Sequence, residues 1–226
     1  MAAEIYGPCD EAIKAMNREN LKAFGRLKLA NFDELNVIRT VKRVYRKAAK
    51  EAEKKYRKIA VEAYLYGLYL CGWDERKAEK AAEKAITAEW AHDVLTQTDF
   101  VTLYRFDTET ERKAERLIEA ISGAEDVEGR GAVRRNVVYN RDAQIDQALK
   151  LWTNQLAQYA INMTDYALLQ AFMDAGVKEA EWVTAEDERV CGKCNELDGN
   201  VYRLDDFPSK PHPRCRCTAR PVLKGK

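Results

Sequence analysis

The sequence predicts a mainly α-helical protein that ends in a small α+β module built around cysteine and histidine. Three observations carry that expectation. Apolar residues recur at helical spacing through most of the first 175 positions. Gly176 then closes the last long helical pattern, and short β-prone pieces follow. Within the final 36 residues stand five metal-capable side chains: Cys191, Cys194, His212, Cys215 and Cys217. The helical part reads as an extended body of long paired helices over 1–175, the longest at about 31–72 and 141–175. The module occupies 176–226.

A first helix is expected over 8–30, with Ala12, Ile13, Met16, Leu21, Phe24, Leu27 and Leu29 on or near one side. Asn31 offers a cap, and Glu34 stands three positions later, close to a capping box. A second, long helix starts there and runs to Gly72. Ile38, Val41, Tyr45, Ala48, Ala52, Ile59, Ala63, Tyr66 and Leu70 follow steps of three and four, broken once at Lys55. They define a narrow stripe that packs on another helix. A third helix is expected from Asp74 to Leu95, with Ile86, Trp90 and Val94 on its packing side, and the TQTDF segment at 96–100 interrupts the pattern. The next spans about 108–121, with Ala114, Leu117, Ile118 and Ile121 inward and Gly123 as its stop. Residues 122–136 read as a polar, glycine-containing hinge loop. A second long helix covers 141–175, carrying Ile145, Trp152, Leu156, Tyr159, Met163, Tyr166 and Phe172. In the module, β-prone pieces at 182–184 and 200–202 flank an Asp198-Gly199 turn.

The 226 residues are 46% hydrophobic, enough for a sizeable core, and 33% charged with a net charge of +1. No stretch approaches the ~18 consecutive apolar residues a membrane span needs. The first 16 residues lack a basic segment followed by an apolar run, so no secretory leader is expected. Synthesis in a reducing cytoplasm fits both points, and Cys9 and Cys71 stand alone as small thiols in helical sequence. Charge is unevenly spread. Residues 39–58 hold ten Lys or Arg against Glu51 and Glu53, and the tail from Lys210 holds six basic residues and no acid. Such bias marks either a solvated face or contact with nucleic acid or an acidic protein surface. The contact candidates are Lys42, Arg43, Arg46, Lys47 and Lys50, joined by Arg214 and Arg216.

Cys191 and Cys194 form a C-x2-C pair, and His212, Cys215 and Cys217 form an H-x2-C-x-C group after a gap of 17 residues. Two such knuckles on turns, joined by a turn-rich loop, supply the soft ligands of a tetrahedral structural Zn²⁺. Five donors compete for four places. Cys191, Cys194 and Cys215 are expected, with one of His212 or Cys217 as the fourth. Residues two apart in extended chain point to opposite faces, so Cys215 and Cys217 chelate together only across a turn. The competing arrangement is free or disulfide-bonded cysteines. A module of about 40 residues cannot bury enough apolar surface to fold unaided, so the ion reads as a staple. With protein ligands filling the site, no enzyme activity, catalytic residue or small-molecule substrate is expected, although Glu186, Asp187 and Glu188 lie close to Cys191. Asp187 and Arg189 read as a local ion pair, Arg214 and Arg216 as donors to the thiolates or to Asp187. His92 has no second ligand in view, and Tyr64, Tyr66 and Tyr69 read as packing residues.

The run W-V-T-A-E-D-E-R-V-C-x-x-C-x-x-L-D-G followed by P-H-P-R-C-R-C resembles the Mu-F-like phage head-morphogenesis family, the minor head or minor capsid proteins. Trp182, Thr184, Asp187, Arg189, Cys191, Cys194, Asp198, Gly199, His212, Pro213, Cys215, Arg216 and Cys217 carry the resemblance. The helical stretches 108–120 and 148–167 look similar too, so the likeness spans at least 98–222. It implies a virion component, assembled in the bacterial host cytoplasm, that associates with the portal protein and with major capsid or scaffold protein and helps package or eject DNA. Some relatives share a distant likeness to the ADP-ribosyltransferase fold. A sequence-independent protein that binds double-stranded DNA, and an ADP-ribosyltransferase-like enzyme, are the alternatives to a structural role.

Overall fold

A computed structural model of the chain describes residues 2–97, 105–125, 133–185, 190–212 and 214–223. Among these, the elements in order are α1 (Ala2–Leu29), α2 (Glu34–Leu70), α3 (Glu75–Ala85), α4 (Ala88–Gln97), α5 (Phe106–Glu125), α6 (Val133–Asp174), β1 (Glu179–Val183), α7 (Gly192–Leu197), β2 (Val201–Arg203) and β3 (Thr218–Pro221). A single 3-10 turn, Leu204–Asp206, follows β2. The fold is mainly helical, with a small antiparallel sheet of strand order β2-β1-β3 near the C-terminus.

α6 lies at the centre. Residues 156–164 are all buried, which a helix achieves only when neighbours cover every side. α1, α2 and α5 provide that cover. Phe24 meets Tyr45 edge-on at 5.1 Å, Tyr45 meets Trp152 at 5.1 Å, and Phe106 meets Tyr159 at 4.9 Å. Gly67 lets α2 approach α6 closely: a Cβ there would stand 2.7 Å from the Cβ of Ala171. The helices share one hydrophobic core, which also takes in Ala180, Leu204 and Ala219 of the C-terminal sheet region. No described helix is long and apolar enough to cross a membrane.

Several boundaries differ from the sequence expectation. α1 begins at Ala2 rather than 8, because Ile5, Tyr6 and Cys9 are buried and draw the first turns onto the core. Leu21 and Leu29 fall off the Met16–Phe24–Leu27 face and are exposed, 62% and 87%. The cap of α2 is Asp33, not Asn31; its carboxylate accepts from the Asn36 N–H at 2.8 Å. The narrow stripe of α2 is a wide face. Val37, Tyr56, Ala60, Tyr64 and Leu68 are buried with it, while Ile38 is exposed. The cause is that α2 packs on α1, α3, α4, α5 and α6. Tyr56 fills the turn where Lys55 breaks the pattern.

The expected helix 74–95 is two helices. Ile86 caps the end of α3, and the Thr87 hydroxyl accepts from the Trp90 N–H at 3.0 Å to start α4. Gly123 does not stop α5, since the good helix formers Ala124 and Glu125 carry it on. α6 starts at Val133 rather than 141. The expected loop of 122–136 is therefore shorter, and its residues 126–132 lie outside the described residues, as do 98–100 of the TQTDF segment. The two expected strands form, and β3 joins them. Its Pro221 is tolerated because β3 is an edge strand.

Candidate metal centre

The C-terminal elements bring the five candidate ligands into two overlapping groups that share Cys194. Cys191 sits at the N-cap of α7 and Cys194 on its first turn, so the first pair is held by a short helix rather than a simple turn. Gly199, with φ +73°, closes the Asp198-Gly199 turn in the left-handed region that glycine enters freely. Its N–H donates to the Trp182 carbonyl at 2.9 Å, and the Asp198 carboxylate accepts from the Thr184 N–H at 2.8 Å. These bonds tie α7 to the end of β1. After β2 the chain passes Phe207, whose ring stacks on Trp182 at 5.7 Å and walls one side of the centre. His212, Cys215 and Cys217 follow, just before β3.

The donor atoms of Cys191, Cys194 and His212 lie within 4.8 Å of one another, and so do those of Cys194, Cys215 and Cys217. Cys194 belongs to both groups and is fully buried. Its sulfur is 3.5 Å from Nε2 of His212 and 3.5 Å from the Cys215 sulfur. A tetrahedron with Zn–S bonds of about 2.3 Å has edges of about 3.8 Å, so the Cys194 and Cys215 sulfurs already stand near the separation an ion requires. The cluster could hold a metal ion, and its thiol-rich donor set suits zinc. All six cysteines are free thiols.

Charge within the cluster is shared unequally. The Cys215 thiol donates to the Cys217 sulfur, which holds Cys217 down at about 5 and pushes Cys215 well up. Burial pushes Cys194 up to about 12. The main-chain N–H groups of Cys194 and Lys193 favour the Cys191 thiolate and lower its pKa. An ion entering here must displace the protons on Cys194 and Cys215, so its affinity falls with pH.

The loop that carries His212 and Cys215 is anchored on α6. Arg214, at φ +59°, turns the chain; its N–H donates to Oε1 of Gln158 at 2.7 Å, and its guanidinium donates to Asn154. Arg214 therefore contacts α6, not the thiolates that the sequence suggested. Gln158 is itself fixed by donating to Oδ1 of Asn162 at 2.8 Å. Arg216 is half-buried between Cys215 and Cys217 in the chain. Asp187, Arg189, Glu186, Glu188 and Pro213 lie outside the described residues.

Beside the cluster is a buried polar network that the sequence reading missed. The Tyr6 hydroxyl donates to Asp165 of α6, and Nζ of Lys210 donates to the Tyr6 oxygen at 2.9 Å and to the Cys217 carbonyl. Lys210 also pairs with Asp165 at 3.3 Å. Burial raises the Asp165 pKa even though Lys210 lowers it, and burial holds the Tyr6 phenol well above its ordinary value. The available signal was a carboxylate in the inward stretch of an otherwise apolar helix.

The basic residues of α2 divide into two sets. Lys42 and Arg46 pair with Glu111 of α5 at 3.2 and 2.8 Å. Arg43, Lys47 and Lys50 are exposed and make no ion pair among the described residues. His92 lies 2.8 Å from Glu53. Tyr64 is buried and donates to Asp174 at 2.6 Å, Tyr66 is half-buried, and Tyr69 is largely exposed.

The fold and the site together define a helical protein whose C-terminal end gathers four cysteines and a histidine. Residues 114–220, a little under half of the chain, match the family described as Phage Mu protein F like protein. The segment runs from the middle of α5 to β3 and contains all five candidate ligands. No curated protein and no solved structure matches the chain.

Proposed function

We propose that the chain is a minor head protein acting in phage head morphogenesis, a virion component whose partners are the portal protein and the major capsid or scaffold protein. The family match over 114–220 carries this reading, because it covers the central helix and the whole cysteine cluster. On this view residues 1–175 form a helical body and 176–226 a module that a structural Zn²⁺ holds rigid for docking. A structural zinc site contributes on the order of 10–16 kcal/mol to folding, well beyond what a three-stranded sheet gains by itself. The role is structural rather than enzymatic. Five protein donors surround four coordination places, whereas a catalytic zinc keeps one place for water or substrate.

Co-expression with the phage portal and capsid proteins, followed by affinity purification of this chain, tests the role. Co-purification of the portal is expected. A chain that carries along neither portal nor capsid protein is not a head-assembly component.

A further inference from the structure

α1 and α2 run antiparallel, as the Phe24–Tyr45, Glu19–Lys55 and Glu4–Tyr66 contacts show. A groove of about 760 Å³ lies between them. On α1, Arg18, Lys22 and Arg26 follow at every fourth position. On α2, Arg39, Arg43, Lys47 and Lys50 follow at steps of four, four and three. All seven are exposed and none forms an ion pair among the described residues. Lys22, Arg26, Arg43 and Lys47 line the groove from its two sides. The two acids that line it are already paired, Glu19 with Lys55 at 3.2 Å and Glu51 with Lys54 at 3.1 Å. A second observation is independent of charge. Asn20 also lines the groove, is only 3% exposed, and its side-chain N–H group finds no acceptor.

We propose that this groove binds the phosphate backbone of double-stranded DNA without regard to sequence. Its cations repeat about every 6 Å, once per helical turn, and present a periodic positive charge to a periodic polyanion. The unpartnered Asn20 amide lies beneath the groove as a further polar donor. No aromatic side chain lines the groove, so it lacks the stacking platform that single-strand binders use. The floor is formed by buried residues such as Met16, Leu27 and Ala52, which offers no exposed apolar row to the face of an acidic helix. The inference is independent of the metal and of the head role.

The test uses the full chain and a fluorescently labelled duplex of about 30 base pairs of mixed sequence, titrated between about 50 and 200 mM salt. Log affinity should fall linearly with log salt. The double variant Arg43→Gln with Lys47→Gln should make that slope shallower by about two units. Lys22→Gln with Arg26→Gln, on the facing helix, should do the same. Lys42→Gln with Arg46→Gln removes two cations already paired with Glu111 and Glu115 and should leave the slope as it was. Thermal melts confirm that each variant is folded. Equal loss from all three pairs, salt-independent binding, tighter binding of a single strand, or displacement of the duplex by polyglutamate of matched charge would each overturn the proposal.

Discussion

The hydroxyl oxygen of Tyr6 lies 3.2 Å from the main-chain carbonyl oxygen of Cys217. A residue in the second turn of the first helix thus touches the backbone of the last candidate ligand, 211 positions away in sequence. Asp165 and Lys210 complete the contact. The helical core and the cysteine cluster are joined by this buried network as well as by packing.

Replacing Tyr6 with Phe leaves Asp165 and Lys210 short of a shared partner in a largely buried site. The expected cost is about 1–3 kcal/mol, or a fall in Tm of several degrees for a chain of this size. Zinc should also leave the variant faster under a chelator, because the Cys217 backbone loses part of its anchor. Wild-type Tm together with wild-type release kinetics would show that the network carries no such load.

Two glycine substitutions should have opposite signs. Gly67→Ala gains up to about 1 kcal/mol of helix propensity, but its Cβ meets the Cβ of Ala171 at 2.7 Å, an atom that cannot rotate away. Overpacking of this kind costs about 1–3 kcal/mol, so the net effect is destabilising. Gly25→Ala, inside α1, meets nothing within 4 Å and should stabilise. Chemical denaturation of both variants reads the two signs. A stabilised Gly67→Ala would mean that α2 and α6 do not approach as closely as described.

Alkaline pH should unfold the protein through its tyrosines. Burial raises the phenols of Tyr6, Tyr45, Tyr56 and Tyr64 well above their ordinary value, and Tyr66 is pushed up to about 12. A raised folded-state pKa means the native state holds the proton more tightly than the unfolded chain. The stabilisation is complete below pH ~10 and is lost as pH rises from there through the folded values. Absorbance of tyrosinate during a pH titration should show these phenols ionising together with loss of helical signal. Ionisation of every tyrosine near pH ~10 with the helices intact would contradict their burial.

Much of this was legible in the sequence, for identifiable reasons. Trp152, Tyr159 and Phe172 recur at helical spacing, so α6 was visible as a core helix, and the spacing of Cys191, Cys194, His212 and Cys215 marked the cluster before any fold was known. What was not legible depends on contacts distant in sequence. Nothing near Lys42 or Arg46 says that Glu111 pairs with them. The partner of Arg214 is on α6, and Tyr6 meets Asp165 only because α1 folds across it. Local cap chemistry was misread where two candidates stood close together: Asp33 outcompeted Asn31, and Thr87 started a helix inside a pattern that looked continuous.

Within the cluster, Cys194 is common to both sets of three donors. Cys194→Ser should therefore abolish metal binding altogether. Five donors surround four places, so either His212→Ala or Cys217→Ser should leave occupancy nearly intact while the other lowers it. Retention of full occupancy by Cys194→Ser would remove it from the coordination sphere.

The zinc content of the purified native chain, measured by elemental analysis alongside a titration of its free thiols, is the most direct test that an ion closes the C-terminal end. One zinc per chain, lost on changing Cys194, is the expected result. A metal-free chain whose C-terminal end stays ordered, or one in which the cluster sulfurs are bonded to each other, would contradict it.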